Sequence, residues 1–247
     1  MIWLLRALWR LLAIIDLIVI SIPLYLLSWL PWRGKHPVAS LFHVWCRAMV
    51  RALDVDLRLH QHYREPLPKR YILIANHPSA FEDVGIPALF DVVSLAKWEV
   101  RDWWFVGRIA RAAGTLFVKR DEAESRREAR EAMLAAIEGG ANLALYPEGG
   151  CKGRRLYHEF RSGAFDVSFQ TGVPILPVFL HYEAQDVFEW RDPQTAPQKV
   201  WHVATAINNR ANYHVFDPID PKNFPDRDAM RDATYARYQE WDERYLS

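Results

Sequence analysis

The 247-residue chain contains only two cysteines, Cys46 and Cys151, and this scarcity excludes two kinds of site. Two thiols cannot build a disulfide framework or a zinc site with four cysteine ligands, and they suit a protein of a reducing compartment. We therefore expect no metal site, and we predict that both thiols are ordinary core side chains.

The chain also lacks an excess of charge of either sign. Its 31 Lys and Arg residues face 30 Asp and Glu residues, which gives a net charge of +1. Such a balance provides no long-range attraction to nucleic acid or to an anionic surface. We therefore expect no nucleic-acid partner, and any site for an anion must be local.

The length allows one compact domain with a terminal appendage, but not two enzymatic domains. No internal repeat, low-complexity tract or linker divides the chain. The residue pattern changes near Val55, from long apolar stretches to short ones. We therefore predict N-terminal hydrophobic membrane-anchoring helices over residues 1–54 and an α/β domain over residues 55–247.

Residues 11–30 form an apolar stretch that only Asp16 and Pro23 interrupt. It is long enough to cross the hydrocarbon core of a bilayer. Three interpretations are open: a spanning helix, a kinked helix that dips into one leaflet, or an uncleaved signal sequence. Basic residues on both sides, Arg10 before it and Arg33 after it, leave its orientation undecided.

The segment from Val38 to Leu53 is amphipathic. Apolar residues recur at helical spacing on one face, while His43, Arg47 and Arg51 lie four residues apart on the other. Because an apolar stretch precedes it, we predict an interfacial helix at the membrane surface. The alternative is a helix that packs on the domain and keeps its basic face in water.

Short apolar runs alternate with helical stretches through the rest of the chain. We predict strands over residues 55–59, 71–75, 92–96, 115–118, 142–146 and 174–180, and helices over residues 99–113, 121–138 and 227–245. This alternation predicts an α/β fold in which helices flank a mostly parallel or mixed sheet, preceded by an N-terminal two-helix membrane-binding motif.

His77 follows the predicted strand 71–75, so we expect its imidazole at the carboxyl end of a strand, where open α/β sheets form their ligand crevices. A histidine whose second ring nitrogen binds a carboxylate can take a proton from an attacking hydroxyl. Glu82 and Asp83 are the candidate partners. A second explanation of this stretch is a capping box, in which Glu82 binds the backbone amide of Ser79.

Asn76, His77 and Ser79 resemble the N-H-x-S-x-x-D signature of the glycerolipid acyltransferase family, which includes 1-acylglycerol-3-phosphate acyltransferases. Glu82 takes the position of the family's aspartate, and Asp83 follows one residue later. The resemblance implies that His77 is the catalytic base, that Glu82 or Asp83 is its partner, and that Asn76 and Ser79 belong to the substrate-binding site.

Further blocks resemble the family's other signatures in the same order. Residues 114–120, G-T-L-F-V-K-R, resemble its second block, which implies that Arg120 is a phosphate ligand. Residues 160–165, F-R-S-G-A-F, resemble F-K-x-G-x-F and imply a binding role for Arg161. Residues 173–178 resemble the fourth block.

The third block is altered. Residues 146–152, Y-P-E-G-G-C-K, resemble F-P-E-G-T-R-S, which implies substrate-binding roles for Glu148 and Gly149. The family's arginine is missing from its usual place. Lys152, Arg154 or Arg155 are the candidates to replace its charge.

The resemblance implies transfer of a fatty acyl group from acyl-CoA or acyl carrier protein to the hydroxyl of a lysolipid such as 1-acylglycerol-3-phosphate, in phospholipid biosynthesis. The thioester is a co-substrate, and no resident cofactor is implied. The expected partners are membrane lipids and the lysolipid, and the expected location is a bacterial inner membrane with the active site facing the cytoplasm.

Two alternatives to this function are open. The altered third block favours another lysophospholipid, or a lyso-aminolipid without phosphate, as the acceptor. A catalytically silent membrane protein that binds lipid is the second alternative. A serine lipase is disfavoured, because the chain has no G-x-S-x-G motif.

Overall fold

The computed structural model describes residues 2–31, 37–191 and 194–246. Arg33 lies outside these residues. The helices are α1 Ile2–Leu27, α2 Val38–Ala52, α3 Glu82–Leu89, α4 Trp98–Arg101, α5 Val106–Ala113, α6 Ala123–Glu138, α7 Gly163–Thr171, α8 Gln185–Phe188, α9 Ala196–Thr205 and α10 Arg227–Leu246. The strands are β1 Asp56–Gln61, β2 Ile72–Ala75, β3 Val93–Lys97, β4 Leu116–Val118, β5 Leu143–Leu145, β6 Ile175–Tyr182 and β7 Arg210–Val215.

The strands form one seven-stranded sheet in the order β1-β7-β6-β2-β5-β3-β4. Every neighbouring pair is parallel except β6 and β7, which are antiparallel. Side chains of β2 alternate between the two faces: Leu73 and Ala75 enter one hydrophobic cluster, Ile72 and Ile74 the other. The sheet is therefore buried on both faces, and the predicted α/β class with a mixed sheet is confirmed.

The strand β7 is not among the strands predicted from the sequence. Polar residues interrupt its apolar pattern, and the structure shows where they go: the Asn212 Oδ1 lies 2.9 Å from His60 Nε2, and His214 Nδ1 lies 3.0 Å from His62 Nε2. These contacts join β7 to the edge strand β1.

The prediction of one continuous helix over residues 99–113 was wrong, because α4 and α5 are separate helices.

The two N-terminal helices pack on each other and on the domain. In the described part of the chain, one segment of α1, Ala7–Leu27, is long and apolar enough to cross a membrane. Trp45 of α2 donates its indole N–H to Ser21 of α1 at 2.9 Å.

The apolar face of α2 is covered by protein. The structure thus has the alternative arrangement, a helix that packs on the domain, in place of the predicted interfacial helix. Trp45 and Cys46 are buried, while Arg47 and Arg51 are exposed. His43 also departs from the predicted basic face in water: its Nδ1 lies 2.8 Å from the carbonyl oxygen of Pro87 at the end of α3, and its Nε2 lies 3.2 Å from Asp91. The boundary after residue 54 stays a prediction.

The C-terminal helix α10 stabilises the centre of the sheet through one tyrosine. The strand register pairs Ile74 with Pro177, which has no backbone N–H to give to the ladder. The buried hydroxyl of Tyr238 lies there, 2.8 Å from the carbonyl oxygen of Ile74, and it accepts the N–H of Val178 at 3.1 Å. It therefore supplies one hydrogen bond to β2, just before the chain reaches His77, and one to the neighbouring strand β6.

Replacing Tyr238 by phenylalanine removes this hydroxyl and leaves buried backbone groups without their partner. We expect the free energy of unfolding to fall by about 1–3 kcal/mol, measured by urea unfolding in detergent. Tyr235→Phe on the same helix is the control, because its partly exposed ring packs on Phe160. Equal losses in the two variants would contradict the role of the Tyr238 hydroxyl.

Candidate active site

His77 lies in the loop between β2 and α3, at the carboxyl end of a central strand, as the sequence predicted. Asn76 fixes the start of this loop. Its side chain donates to the carbonyl oxygen of Leu180 at 3.0 Å and accepts the N–H of Leu180 at 2.7 Å, so it extends the contact between β2 and β6. The imidazole that follows is therefore held by the sheet.

A buried carboxylate binds the imidazole. The Nδ1 of His77 lies 3.1 Å from Glu82 Oε2, and the two residues are 5% and 0% exposed. The same oxygen accepts the backbone N–H of Ser79 at 3.2 Å, and Oε1 accepts the hydroxyl of Tyr182 at 2.6 Å. Glu82 thus makes the backbone contact expected from a capping box and the contact expected from a histidine–carboxylate pair at the same time.

The arrangement fixes the form of the imidazole. Burial lowers the pKa of His77, so the ring is neutral near pH 7. Burial raises the pKa of Glu82 well above its ordinary value, and the hydrogen bond from Tyr182 opposes this shift. With Nδ1 directed at the carboxylate, Nε2 is the nitrogen that can accept a proton.

Asp83 is not the partner of His77 in this geometry. No hydrogen bond joins it to the imidazole in the described part of the chain, and it acts on His77 through its charge, which raises the pKa of the imidazole. Of the two candidate partners that the sequence left open, Glu82 is therefore the one within hydrogen-bond distance of the imidazole.

Cys151 was expected in the core, and the structure corrects this. Its Sγ lies 3.4 Å from Nε2 of His77 and 3.3 Å from the carbonyl oxygen of Ser79. Burial raises the pKa of this thiol, which is therefore neutral. The available signal was its place within the third block.

Gly150, the other substitution in this block, makes room for Arg120. A Cβ at residue 150 would lie 2.8 Å from Nη1 of Arg120, so a side chain there would require this guanidinium to shift. Gly149 has a φ of 76°, in the left-handed region that favours glycine. The block is thus shaped by backbone sterics as well as by its side chains.

Glu148 supports the loops around the imidazole. Its Oε1 accepts the backbone N–H of His77 at 2.6 Å, and its Oε2 accepts that of Tyr157 at 2.8 Å. The side chain is buried, as are Asn76 and Ser79, whose Oγ accepts the N–H of Phe81 at 3.1 Å. All three side chains are bonded to backbone, so direct contact with substrate stays a prediction for them.

A cavity of about 1130 Å³ adjoins the pair. The ring of Tyr146 links the two, because it lines the cavity and stacks on His77 with centroids 4.0 Å apart. The predicted binding residues Arg120, Gly149, Lys152 and Arg161 all line it.

The other two candidates to replace the missing arginine are engaged elsewhere. Arg154 pairs with Asp186 at 3.2 Å, and Arg155 pairs with Asp242 at 3.0 Å. Across residues 2–31, 37–191 and 194–246, no group of three or more His, Cys, Asp or Glu side chains could hold a metal ion.

Comparison with known proteins adds independent information. The model of a family described as Acyltransferase matches residues 58–181, half of the chain. Over 219 residues the chain is 29% identical to a lyso-ornithine lipid O-acyltransferase of Rhodobacter capsulatus, covering 83% of this chain and 78% of that protein. Over 190 residues it is 23% identical to a 1-acyl-sn-glycerol-3-phosphate acyltransferase of Neisseria meningitidis, covering 75% and 74%.

A solved structure shows the same fold. The 1-acyl-sn-glycerophosphate acyltransferase PlsC of Thermotoga maritima matches with a TM-score of 0.68, over 98% of each chain and at 19% identity. The match includes the N-terminal helices, because it extends over nearly the whole chain.

Replacing Glu148 by glutamine directs an amide NH2 group at one of two backbone donors. We expect the free energy of unfolding to fall by about 1–3 kcal/mol, since a buried N–H loses its acceptor, and thermal or urea unfolding measures this. Glu159→Gln is the matched control, because Glu159 lies in an exposed pair with Arg161. A loss of the same size in the control would refute the supporting role.

Proposed function

The chain belongs to the Acyltransferase family, and from this premise we propose that it moves a fatty acyl group from an acyl thioester to the free hydroxyl of a membrane lysolipid, in phospholipid biosynthesis. The observation that carries the proposal is the buried pair of His77 and Glu82, which leaves Nε2 as the only ring nitrogen able to accept a proton. A neutral imidazole held in this way suits a general base.

The mechanism needs a single displacement. The acceptor hydroxyl lies against Nε2 of His77, which takes its proton while the oxygen attacks the thioester carbonyl. The new C–O bond forms, the C–S bond breaks, and the leaving thiolate takes the proton from the imidazolium. Glu82 stabilises the imidazolium while it lasts, so no covalent acyl-enzyme is required.

Two acceptors are candidates for the cavity that adjoins the pair. The first is 1-acylglycerol-3-phosphate, whose phosphate suits the guanidinium of Arg120. The second is a lyso-ornithine lipid, on which the relative from Rhodobacter capsulatus acts by name. This phosphate-free acceptor is the alternative, and the observation in its favour is that Cys151 stands where the family motif has an arginine; the ornithine carboxylate would then meet Arg120.

The N-terminal helix supports delivery of the lysolipid, and of the acyl chain of the donor, from a membrane. Outward side chains of α1 such as Leu8, Trp9 and Val19 are 54–60% exposed. A bilayer would cover them, and each buried methylene contributes about 0.8 kcal/mol.

Of the three interpretations of this segment that the sequence left open, we favour a kinked helix that dips into one leaflet. Protein packs near both of its ends: Trp9 shares a recess with Arg51 and Asp56, and Tyr25 stacks on Phe105 at 5.4 Å. A spanning α1 would carry those charged residues toward the hydrocarbon, which is costly. The proposed location remains a bacterial inner membrane with the site facing the cytoplasm.

The activity is tested with the His77→Ala variant. Detergent-solubilised protein is given acyl-CoA or acyl carrier protein thioester and a panel of lysolipids, and thiol release and product mass are followed. We expect a loss of at least about 100-fold, because a general base is removed. The exposed His202→Ala serves as control, and equal rates for wild type and His77→Ala would favour the catalytically silent alternative.

The partner of the imidazole is tested by Glu82→Gln and Asp83→Asn. We expect Glu82→Gln to reduce kcat by about 100-fold or more, because an amide no longer stabilises the imidazolium or selects its tautomer. Asp83→Asn should change kcat by less than about tenfold, since no hydrogen bond joins it to His77. Thermal unfolding verifies that both variants are folded, and the opposite order would assign the role to Asp83.

A further inference from the structure

The cavity beside His77 has more positive charge than a lysolipid headgroup needs. Eight basic side chains line it against four acidic ones. Three of the acidic ones already have cationic partners: Glu99 pairs with Lys97, Glu122 with Lys119, and Asp166 with Arg227, which lies outside the lining. The positive charges of the cavity are therefore only partly neutralised.

Four of the lining cations have no carboxylate partner among the described residues: Arg120, Arg126, Arg130 and Lys152. The only hydrogen bond of the Arg126 guanidinium goes to the carbonyl oxygen of Arg120, at 2.7 Å, within the same described part. Lys152 lies over the ring of Tyr157, 4.7 Å from its centroid. A cleft lined with unpaired charge of one sign attracts an anion.

The cations lie at two depths. Arg120 lies at the inner end of the cavity, against Gly150. The residue that follows Gly150 is Cys151, which contacts Nε2 of His77. Arg126 and Arg130 are four residues apart on α6, so they project from the same face of that helix. Ala129 and Met133 of this face are buried, so α6 packs on the domain and positions the two arginines at the rim.

The sheet order gives the extent of the cavity. His77 follows β2, and the cavity lies along the carboxyl ends of the next three strands, at Tyr146 after β5, Lys97 of β3 and Arg120 after β4. Three strand spacings amount to roughly 14 Å. With about 1130 Å³, the cavity exceeds what a drug-sized ligand fills, and a glycerol phosphate or an ornithine is smaller still.

We infer that the outer part of this cavity binds the phosphates of coenzyme A, with Arg126 and Arg130 as ligands, and that the acyl donor is an acyl-CoA. The inference rests on the proposed acyl transfer and specifies its donor. Arg120 and Lys152 remain for the anionic group of the acceptor near His77. The diphosphate and 3′-phosphate of the nucleotide match separate cations beyond them.

A carrier protein fits these observations less well. The cations line a concave cavity whose lining also includes the buried apolar side chains Met133 and Leu145, and a concave cavity suits a small ligand. A folded acidic partner could reach the cations at the rim but not Arg120 at the inner end, so a loss restricted to acyl carrier protein is one of the results that the kinetics below must exclude.

Binding is tested without catalysis, in the His77→Ala background. Titration calorimetry with coenzyme A compares this protein with a form that also carries Arg126→Gln and Arg130→Gln, which keep helix propensity and remove charge. We expect the Kd to rise by about tenfold or more, and less at high salt. Arg237→Gln on α10 is the matched control, because that arginine is exposed and lies outside the cavity.

Kinetics with the active protein separate the donor from the acceptor. In the double variant, we expect the ratio of kcat/KM for acyl-CoA to that for acyl-pantetheine, which has no nucleotide, to fall by about tenfold. The KM for the lysolipid should stay within about twofold.

Three results would overturn the inference: an unchanged Kd for coenzyme A, a rise in the lysolipid KM with an unchanged donor ratio, or a loss restricted to acyl carrier protein. Activity that survives in a variant with unchanged coenzyme A binding would refute the inference alone. Coenzyme A binding that weakens as expected, in a wild-type protein without transferase activity, would refute the proposed function alone.

Discussion

The fully buried carboxylate of Glu82 is the constraint around which the site is arranged. A carboxylate that is shielded from solvent must receive hydrogen bonds that replace its lost hydration. Without them, the group would be protonated, or the structure would leave it exposed to water. Glu82 receives three donors from two parts of the chain: the imidazole of His77 and the amide of Ser79 in one loop, and the hydroxyl of Tyr182 on β6. The loop, α3 and β6 are therefore held in one arrangement, and this arrangement also positions the imidazole.

The strand β7 belongs to this support. The hydroxyl of Tyr213 lies 3.4 Å from that of Tyr182, behind the carboxylate. The side of α3 is closed by the same tyrosine, because a Cβ at Gly85 would lie 2.1 Å from its hydroxyl oxygen. Thus a strand with no residue in the motifs holds α3, which carries Glu82, against the sheet.

The sequence predicted the parts whose residue pattern has one explanation. Continuous apolar runs such as residues 71–75 identify buried strands, and the ordered motifs locate His77, Arg120 and the turn at Gly149. The same patterns were insufficient for β7, because its polar side chains bond to histidines of β1, far away in the sequence. They were also insufficient for α2, since an amphipathic face does not say whether protein or lipid covers it.

The role of Glu82 and the environment of Cys151 could not be predicted from the sequence, for different physical reasons. The capping-box and catalytic interpretations of Glu82 do not exclude each other, because one carboxylate has enough acceptor positions for both contacts. Cys151 has no pattern that distinguishes a core thiol from one at 3.4 Å from a ring nitrogen, because that contact depends on how the third block folds over the first.

The charges of the cavity and the basicity of the imidazole are not independent. Burial is the largest cause of the lowered pKa of His77; the negative charges of Asp83 and Glu148 raise this pKa, and the positive charge of Arg120 lowers it. Under the proposed function, an acceptor whose anionic group binds Arg120 would offset the lowering influence of that guanidinium and leave those of the carboxylates, so the imidazole would become more basic when the acceptor is bound. Arg120 would then couple the binding of the acceptor to the basicity of His77.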